Sequence, residues 1–163
     1  MTAPITITID GRQVQASLAQ LIRHISDLTP IMEDIGAALG NLTEDAFQAE
    51  GPGWPQLAPS TVKKRGSAHP ILQVDRQLAA SINHGGDRNS AWVGASKIYA
   101  AVQQFGQRKG ASGTTWRGAP IPWGDIPARP YIPMTASGDL TPAAHDEVMD
   151  ILTRALRAAI GQG

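Results

Sequence analysis

The sequence predicts an α+β fold in which three to four helices pack on a small, mainly antiparallel sheet. Alternating β-branched residues open the chain, and further along apolar residues recur at three- and four-residue spacing, as in amphipathic helices. The chain also holds 17 Gly and 12 Pro, many of them in the middle, where we expect extended or irregular segments. The length of 163 residues favours one domain over 1–163.

The first part of the chain predicts one strand and two helices. The alternation over 5–9 is typical of a strand, and apolar spacing over 14–28 predicts a helix. Thr29-Pro30 then resembles a capped helix start, with Thr29 as the N-cap of a second helix that extends to about residue 46. On this helix Gly36 and Gly40 are four residues apart, which predicts close helix packing.

The middle of the chain alternates short elements with turns. We expect one helical turn over 60–65, and a helix that begins at Asp75 and ends at Gly85-Gly86. Residues 91–93 predict a strand. Residues 97–105 predict another helix, with Gly106 as its C-terminal stop.

The third part is predicted to hold a long extended arm or hairpin over 107–125. This polar segment contains four glycines, two prolines, Trp116 and Trp123, and a structureless loop of this length is uncommon unless it is functional. Prolines bracket residues 128–132, which predict an edge strand. Thr141-Pro142 begins the C-terminal helix.

Charge is segregated along a chain whose net charge is zero. Residues 1–62 carry −5, residues 63–131 carry +7 and the remainder −2. Opposite charges on two faces suit head-to-tail association of neighbouring copies. The alternative is that acidic helices fold onto the basic segment within one subunit, and the sequence leaves both open.

No pattern nominates a catalytic or cofactor site, so we expect a protein that is not an enzyme and binds no cofactor or metal. There is no cysteine, and the four histidines do not pair with one another or with acids at ligand spacing. No phosphate-binding loop or nucleophile motif is present. No apolar stretch approaches the roughly 20 residues that cross a bilayer, so no membrane partner is expected.

The basic segment supports one alternative function, a DNA-contacting accessory protein. It combines Lys63-Lys64-Arg65 and Arg108-Lys109 with Trp116, and cations beside aromatic rings are typical of single-strand binding. However, the aromatic residues do not form a stacking series, and the pI near 6.9 is low for such a domain. Non-specific contact with passing DNA stays open.

Four motifs occur in an order that resembles a known family. They are Trp54-Pro55-Gln56-Leu57-Ala58-Pro59-Ser60-Thr61 before three basic residues, Leu78 to Ser81-Ile82, Val93-Gly94 with Tyr99-Ala100 and Phe105-Gly106, and Ile126-Pro127-Ala128-Arg129-Pro130-Tyr131. The family is the phage virion morphogenesis family of Mu-like and related tailed phages. One detail differs, because Val74-Asp75 stands where the family often has Thr-Gly.

The resemblance implies a structural virion protein that completes the tail or joins it to the head. It implies partners among tail-tube, connector and other neck proteins, and a location at the head–tail junction or tail end after assembly in the host cytoplasm. Tail tubes are six-fold and head connectors twelve-fold, so a hexameric ring is favoured and a dodecamer stays open.

Eleven residues are candidates for a subunit interface or a structural motif. They are Trp54, Leu57, Thr61, Tyr99, Phe105, Gly106, Trp116, Trp123, Pro127, Arg129 and Pro130. We expect Leu57, Tyr99 and Phe105 on the core side, and Trp54 as an anchor for its own loop or for a neighbour. The planar donors of Arg129 suit a carboxylate, within the subunit or from a neighbour.

Overall fold

A computed structural model describes residues 27–51 and 53–161, with only the backbone of residues 160 and 161. The predicted strand over 5–9 and the predicted helix that starts at Val14 lie outside the described residues. The elements in chain order are α1 (Thr29–Gln48), α2 (Pro59–Arg65), a 3₁₀ turn (Ala79–Ser81), β1 (Ile82–Gly86), β2 (Ala91–Ala95), α3 (Ala100–Phe105) and α4 (Pro142–Gly161). Within the described residues, four helices and one two-stranded antiparallel sheet confirm the predicted α+β class.

Helix α1 lies directly on the β1–β2 hairpin, as its glycines predict. A Cβ at Gly36 would stand 2.3 Å from the carbonyl oxygen of Gly85, and one at Gly40 would meet the His84 ring. From the other side, a Cβ at Gly86 would stand 2.2 Å from the backbone of Met32. At Gly36 and Gly86 the two backbones therefore touch without side chains between them, and a methyl group at either position would force them apart.

The predicted helix from Asp75 to Gly85-Gly86 is wrong. Only the 3₁₀ turn forms there, and both glycines belong to β1, which pairs with β2 from Ile82↔Ala95 to Gly86↔Ala91. The strand sequence INHGG has only one β-branched residue, so local preference alone does not favour a strand. Contact with α1 and pairing with β2 make it one.

Other boundaries differ by a few residues. Thr29 is the first residue of α1 and not its cap; its N–H instead donates to Asp27 Oδ1 at 3.1 Å. Helix α3 starts at Ala100 and not at 97, and ends at Phe105, where Gly106 with φ +74° stops it as predicted. No strand forms over 128–132, because this extended segment is held by a helix end and side chains, as described below. Thr141 precedes α4, as predicted, and its carbonyl oxygen accepts from His145 N at 2.9 Å.

The buried side chains form two clusters. The first contains Phe47, Trp54, Ile71, Leu78, Ala100 and Tyr131, and it lies at the C-terminal end of α1. The second joins Ile35 and Leu39 of α1 to Ala144 and Ile151 of α4. Helix α1 therefore contributes to both clusters and connects them.

Candidate interaction site

The first and last sequence motifs are adjacent in the fold. Trp54 Nε1 donates to the carbonyl oxygen of Pro130 at 2.7 Å. In return, Arg129 donates from Nε to the carbonyl oxygen of Pro55 at 3.0 Å and from its terminal nitrogen to that of Gln56 at 3.2 Å. Two segments more than 70 residues apart are thus fastened side by side.

Both residues that join these motifs are buried. Trp54 is 5% exposed and Arg129 is 5% exposed, so Trp54 anchors its own loop within the subunit. The expected carboxylate partner of Arg129 is absent among the described residues, because the extended frame places the guanidinium against two main-chain oxygens. Burial lowers the pKa of Arg129 from its ordinary value.

Gln104 holds the same segment from α3, although no sequence motif singles it out. Its Oε1 accepts from the N–H groups of Tyr131 and Ile132 at 2.9 and 3.0 Å, and its Nε2 donates to the carbonyl oxygen of Ile132 at 3.2 Å. Arg129 N also donates to the carbonyl oxygen of Gln103 at 2.7 Å. One side-chain amide therefore takes the place of a neighbouring strand. The available signal was its four-residue spacing from Ala100, which places both on the buried side of α3.

Aromatic rings fill the space beneath these hydrogen bonds. The ring centre of Phe47 lies 5.8 Å from that of Trp54, in an edge-to-face arrangement, and 5.1 Å from that of Tyr131. The Tyr131 hydroxyl donates to the carbonyl oxygen of Ala100 at 3.0 Å. Burial, with a smaller contribution from Tyr99, raises the pKa of Tyr131 to about 12.

Two aromatic candidates do not lie where the sequence predicts. Tyr99 is 38% exposed and Phe105 is 55% exposed, whereas Ala100 and Gln104 are the buried residues of α3. Ala100 and Gln104 form the face of α3 that contacts Tyr131, so Tyr99 and Phe105 lie away from the core. Leu57 is half-buried against the first cluster, as expected, and Thr61 is exposed on α2. Pro127 is exposed and Pro130 half-buried.

The segment after α3 forms the predicted arm, an irregular hairpin. Gln107 and Ile126 exchange two backbone hydrogen bonds at its base, of 2.8 and 2.7 Å, and Thr114 bridges Pro120 near its end. The tip is a turn over 115–118. Gly118 N closes it by donating to the Thr115 carbonyl oxygen at 2.9 Å. Ordered backbone bonds therefore hold the arm in shape.

The arm presents large apolar groups to solvent. Trp116 and Arg117 are the two corner residues of the tip turn, and the guanidinium carbon lies 4.4 Å from the centre of the indole ring. Trp116 is 86% exposed and Trp123 is 76% exposed. Exposed tryptophan at a loop tip is typical of residues that become buried on association.

A groove of about 610 Å³ opens between α1, the segment after Arg129 and the start of α4. Its walls are mainly apolar and include Leu42 and Ala46 of α1, Ile132 and Met134, and Pro142 of α4. One charged residue, Asp45, also lines it and is exposed. The groove has the size and character of a binding cleft.

In the described part of the chain, histidine and acidic side chains meet in pairs and not in larger groups, and His69 Nδ1 lies 2.5 Å from Glu50 Oε2. Across 27–51 and 53–161, no three His, Cys, Asp or Glu side chains are grouped to hold a metal ion. His145 lies 3.4 Å from Asp146, but both are exposed on α4. No helix in this part of the chain is long and apolar enough to cross a membrane. The arrangement is one of packing and contact surfaces.

Comparison with known proteins agrees with the motifs. The model of the phage virion morphogenesis family matches residues 9–157. The chain belongs to the phage virion morphogenesis family. All four sequence motifs lie within the matched residues.

Two relatives of this family member come from phage Mu and a Mu-like prophage. The "Putative capsid assembly protein G" of Escherichia phage Mu is 31% identical over 174 residues, covering 99% of this chain and 100% of that protein. The "Mu-like prophage FluMu G protein 2" of Haemophilus influenzae is 28% identical over 127 residues, covering 77% of this chain and 80% of that protein. No solved structure matches the chain.

Membership in the virion morphogenesis family gives the chain a structural or assembly role in a bacteriophage. The family is one of morphogenesis proteins, and the protein is associated with the virion or its assembly.

Proposed function

We propose that this protein completes the tail or joins it to the head, as a tail-completion, tail-terminator or neck component that acts as a ring. The observation that carries the proposal is that one subunit exposes two unlike apolar surfaces. The arm carries Trp116 and Trp123 in solvent, and the groove beside α1 is open and apolar. Exposed apolar surfaces of this kind are where proteins commonly associate with a partner.

Two unlike surfaces on one subunit support head-to-tail assembly. An interface between different patches either closes into a ring or continues as a filament. A ring is the form that fits a tube end or a head–tail junction, and we favour a hexamer, with a dodecamer as the alternative. Its further partners would be the tail tube, the head connector and other neck proteins.

The name of the phage Mu relative supports a second candidate, a role in capsid assembly. The two roles differ in which particle part fails. In the tail role, heads fill normally and tails remain unjoined or have abnormal ends. In the capsid role, heads themselves are missing or malformed.

The deciding experiment is to abolish expression of the chain in its phage and examine lysates by electron microscopy. The tail role predicts DNA-filled heads beside separate tails, and expression of the wild-type chain restores complete particles. Malformed or absent heads would instead favour the capsid role. Normal infectious particles without the chain would contradict both.

Mass spectrometry of purified particles then separates a resident component from a transient assembly factor. A resident ring predicts that the chain is present in stable, small copy number after extensive washing. Its absence from infectious particles would contradict a place in the virion.

A further inference from the structure

We propose that the tip of the arm, Trp116-Arg117, binds in the apolar groove of a second copy of this chain. The indole would enter the groove, and the guanidinium would face Asp45 at its edge. This inference deepens the proposed ring by naming the two surfaces that meet, and it rests on that proposed self-association.

The tip and the groove are complementary in shape and polarity. The tip is a tight turn with the indole and guanidinium stacked on each other, so that it presents one compact, mainly apolar unit. The groove, of about 610 Å³, is large enough for an indole and the apolar stem of an arginine. Rigid aromatic anchors in pockets are where interfaces concentrate their binding energy.

The charges are complementary as well. Residues 107–126 hold Arg108, Lys109 and Arg117 against Asp125, a net charge of +2. The carboxylate of Asp45 makes no hydrogen bond or ion pair with any residue in the described ranges. Arg117 likewise has no acidic partner there, since its contact is with Trp116. Each charge therefore lacks the partner that the other would supply.

The arm does not occupy the groove of its own subunit. Trp116 is 86% exposed, so it contacts little of its own chain. The arm is rooted at Gln107 and Ile126, only four residues before Pro130 at the groove wall. The hairpin is tied along its length by backbone hydrogen bonds, so the tip is held away from the root. A second copy is the occupant that both surfaces fit.

Cross-linking tests the contact directly, because the chain contains no cysteine. The variant with Arg117→Cys and Asp45→Cys is oxidised at a concentration series, and products are separated without reductant. The contact predicts a ladder of dimer, trimer and higher species, since each copy links to the next. Each single-cysteine variant should give at most a dimer.

Asp34 provides a matched control. It is exposed on the same helix, eleven residues before Asp45, which is about three turns and roughly 16 Å along α1. Arg117→Cys with Asp34→Cys should therefore give no ladder. A ladder of equal strength from this control pair, or no ladder from the Asp45 pair, would overturn the proposal.

Charge exchange and truncation provide a second readout. Trp116→Ala should weaken assembly by about tenfold or more, whereas Ile98→Ala, at a fully solvated site outside both surfaces, should not. Arg117→Glu and Asp45→Arg should each weaken assembly, and the two together should restore it. Thermal melting confirms that each variant folds.

The outcomes separate this inference from the ring itself. If the wild type forms a ring that Trp116→Ala and both charge reversals leave intact, the arm–groove contact is wrong and the ring stands. If the wild type stays monomeric and no ladder forms, both are wrong. A dilute monomer that gives the ladder when concentrated supports the contact.

Discussion

Arg129 is a buried cation whose partners are two neutral main-chain oxygens. Its planar donors reach the carbonyl groups of Pro55 and Gln56 at 3.0 and 3.2 Å, and the residue is 5% exposed. The guanidinium therefore joins two segments in a geometry that an ammonium group cannot reproduce.

Arg129→Lys should lower the free energy of unfolding by about 1–3 kcal/mol, because one carbonyl oxygen loses its donor in a buried place. Urea denaturation followed by circular dichroism measures the loss. Arg117→Lys, at the exposed arm tip, is the matched control and should change stability by less than about 0.5 kcal/mol. Equal stability of the Arg129 variant and the wild type would contradict this account.

Tyr131 makes stability depend on alkaline pH. Its pKa is raised from 10.0 to about 12, so the folded state favours the neutral phenol. The stabilisation is fully present below pH 10 and is lost as pH rises through about 12. The expected loss across that range is on the order of 2 kcal/mol.

Tyr131→Phe isolates this effect. The variant should lose about 1 kcal/mol near neutral pH, because the bond to the Ala100 carbonyl oxygen is gone. It should also show a flatter decline between pH 10 and 12 when melting is followed against pH. An identical alkaline decline in the variant and the wild type would mean that another group causes it.

The residue-scale contacts show what sequence reasoning could and could not reach. Flanking prolines predict the extended frame around Arg129, and that frame is present. The partners are 73 and 74 residues away, and no local pattern encodes such a pairing. The role of Gln104 was missed for the same reason, since it depends on a segment 27 and 28 residues further on.

At the scale of elements, the contact of α1 with the hairpin depends on glycine on both sides. The spacing of Gly36 and Gly40 predicts close packing, and the structure has it. The partner strand was predicted as a helix end, because the pair Gly85-Gly86 resembles a helix stop. Pairing and packing override that local signal.

Gly36→Ala should destabilise the protein by roughly 1–3 kcal/mol. The added methyl would stand 2.3 Å from a backbone oxygen that cannot rotate away, which outweighs the gain of up to about 1 kcal/mol in helix preference. Gly94→Ala in β2 is the control, since its Cβ would meet nothing within 4 Å. Thermal melting compares the two. A Gly36→Ala protein as stable as the Gly94→Ala protein would contradict the close approach.

Composition alone predicts the arm but not the surface that we propose it binds. Its glycines, prolines and two tryptophans predict a hairpin or arm over 107–125, and a hairpin closed at Gln107 and Ile126 is present. Its apolar partner surface was not predicted. The groove exists only where α1 meets residues 130–134 and 141–143, which lie far from α1 in the sequence.

At the scale of the whole molecule, the charge pattern and the apolar surfaces support the same mode of association. The acidic first segment includes α1, which lines the groove, and the basic middle segment includes the arm. Head-to-tail contact would bring the two together. The alternative of DNA contact through 63–129 stays a prediction, and salt-sensitive retention on DNA would support it.

The most direct measurement of the central claim is the mass of the purified protein in solution, by light scattering behind a sizing column over a range of concentrations. Self-association through two unlike surfaces predicts one closed species, six copies of the 17.2 kDa chain, or twelve if the ring matches a connector. The oligomer should dissociate as the salt concentration rises, because opposite charges contribute to the contact. A protein that remains a monomer at every concentration would contradict the account.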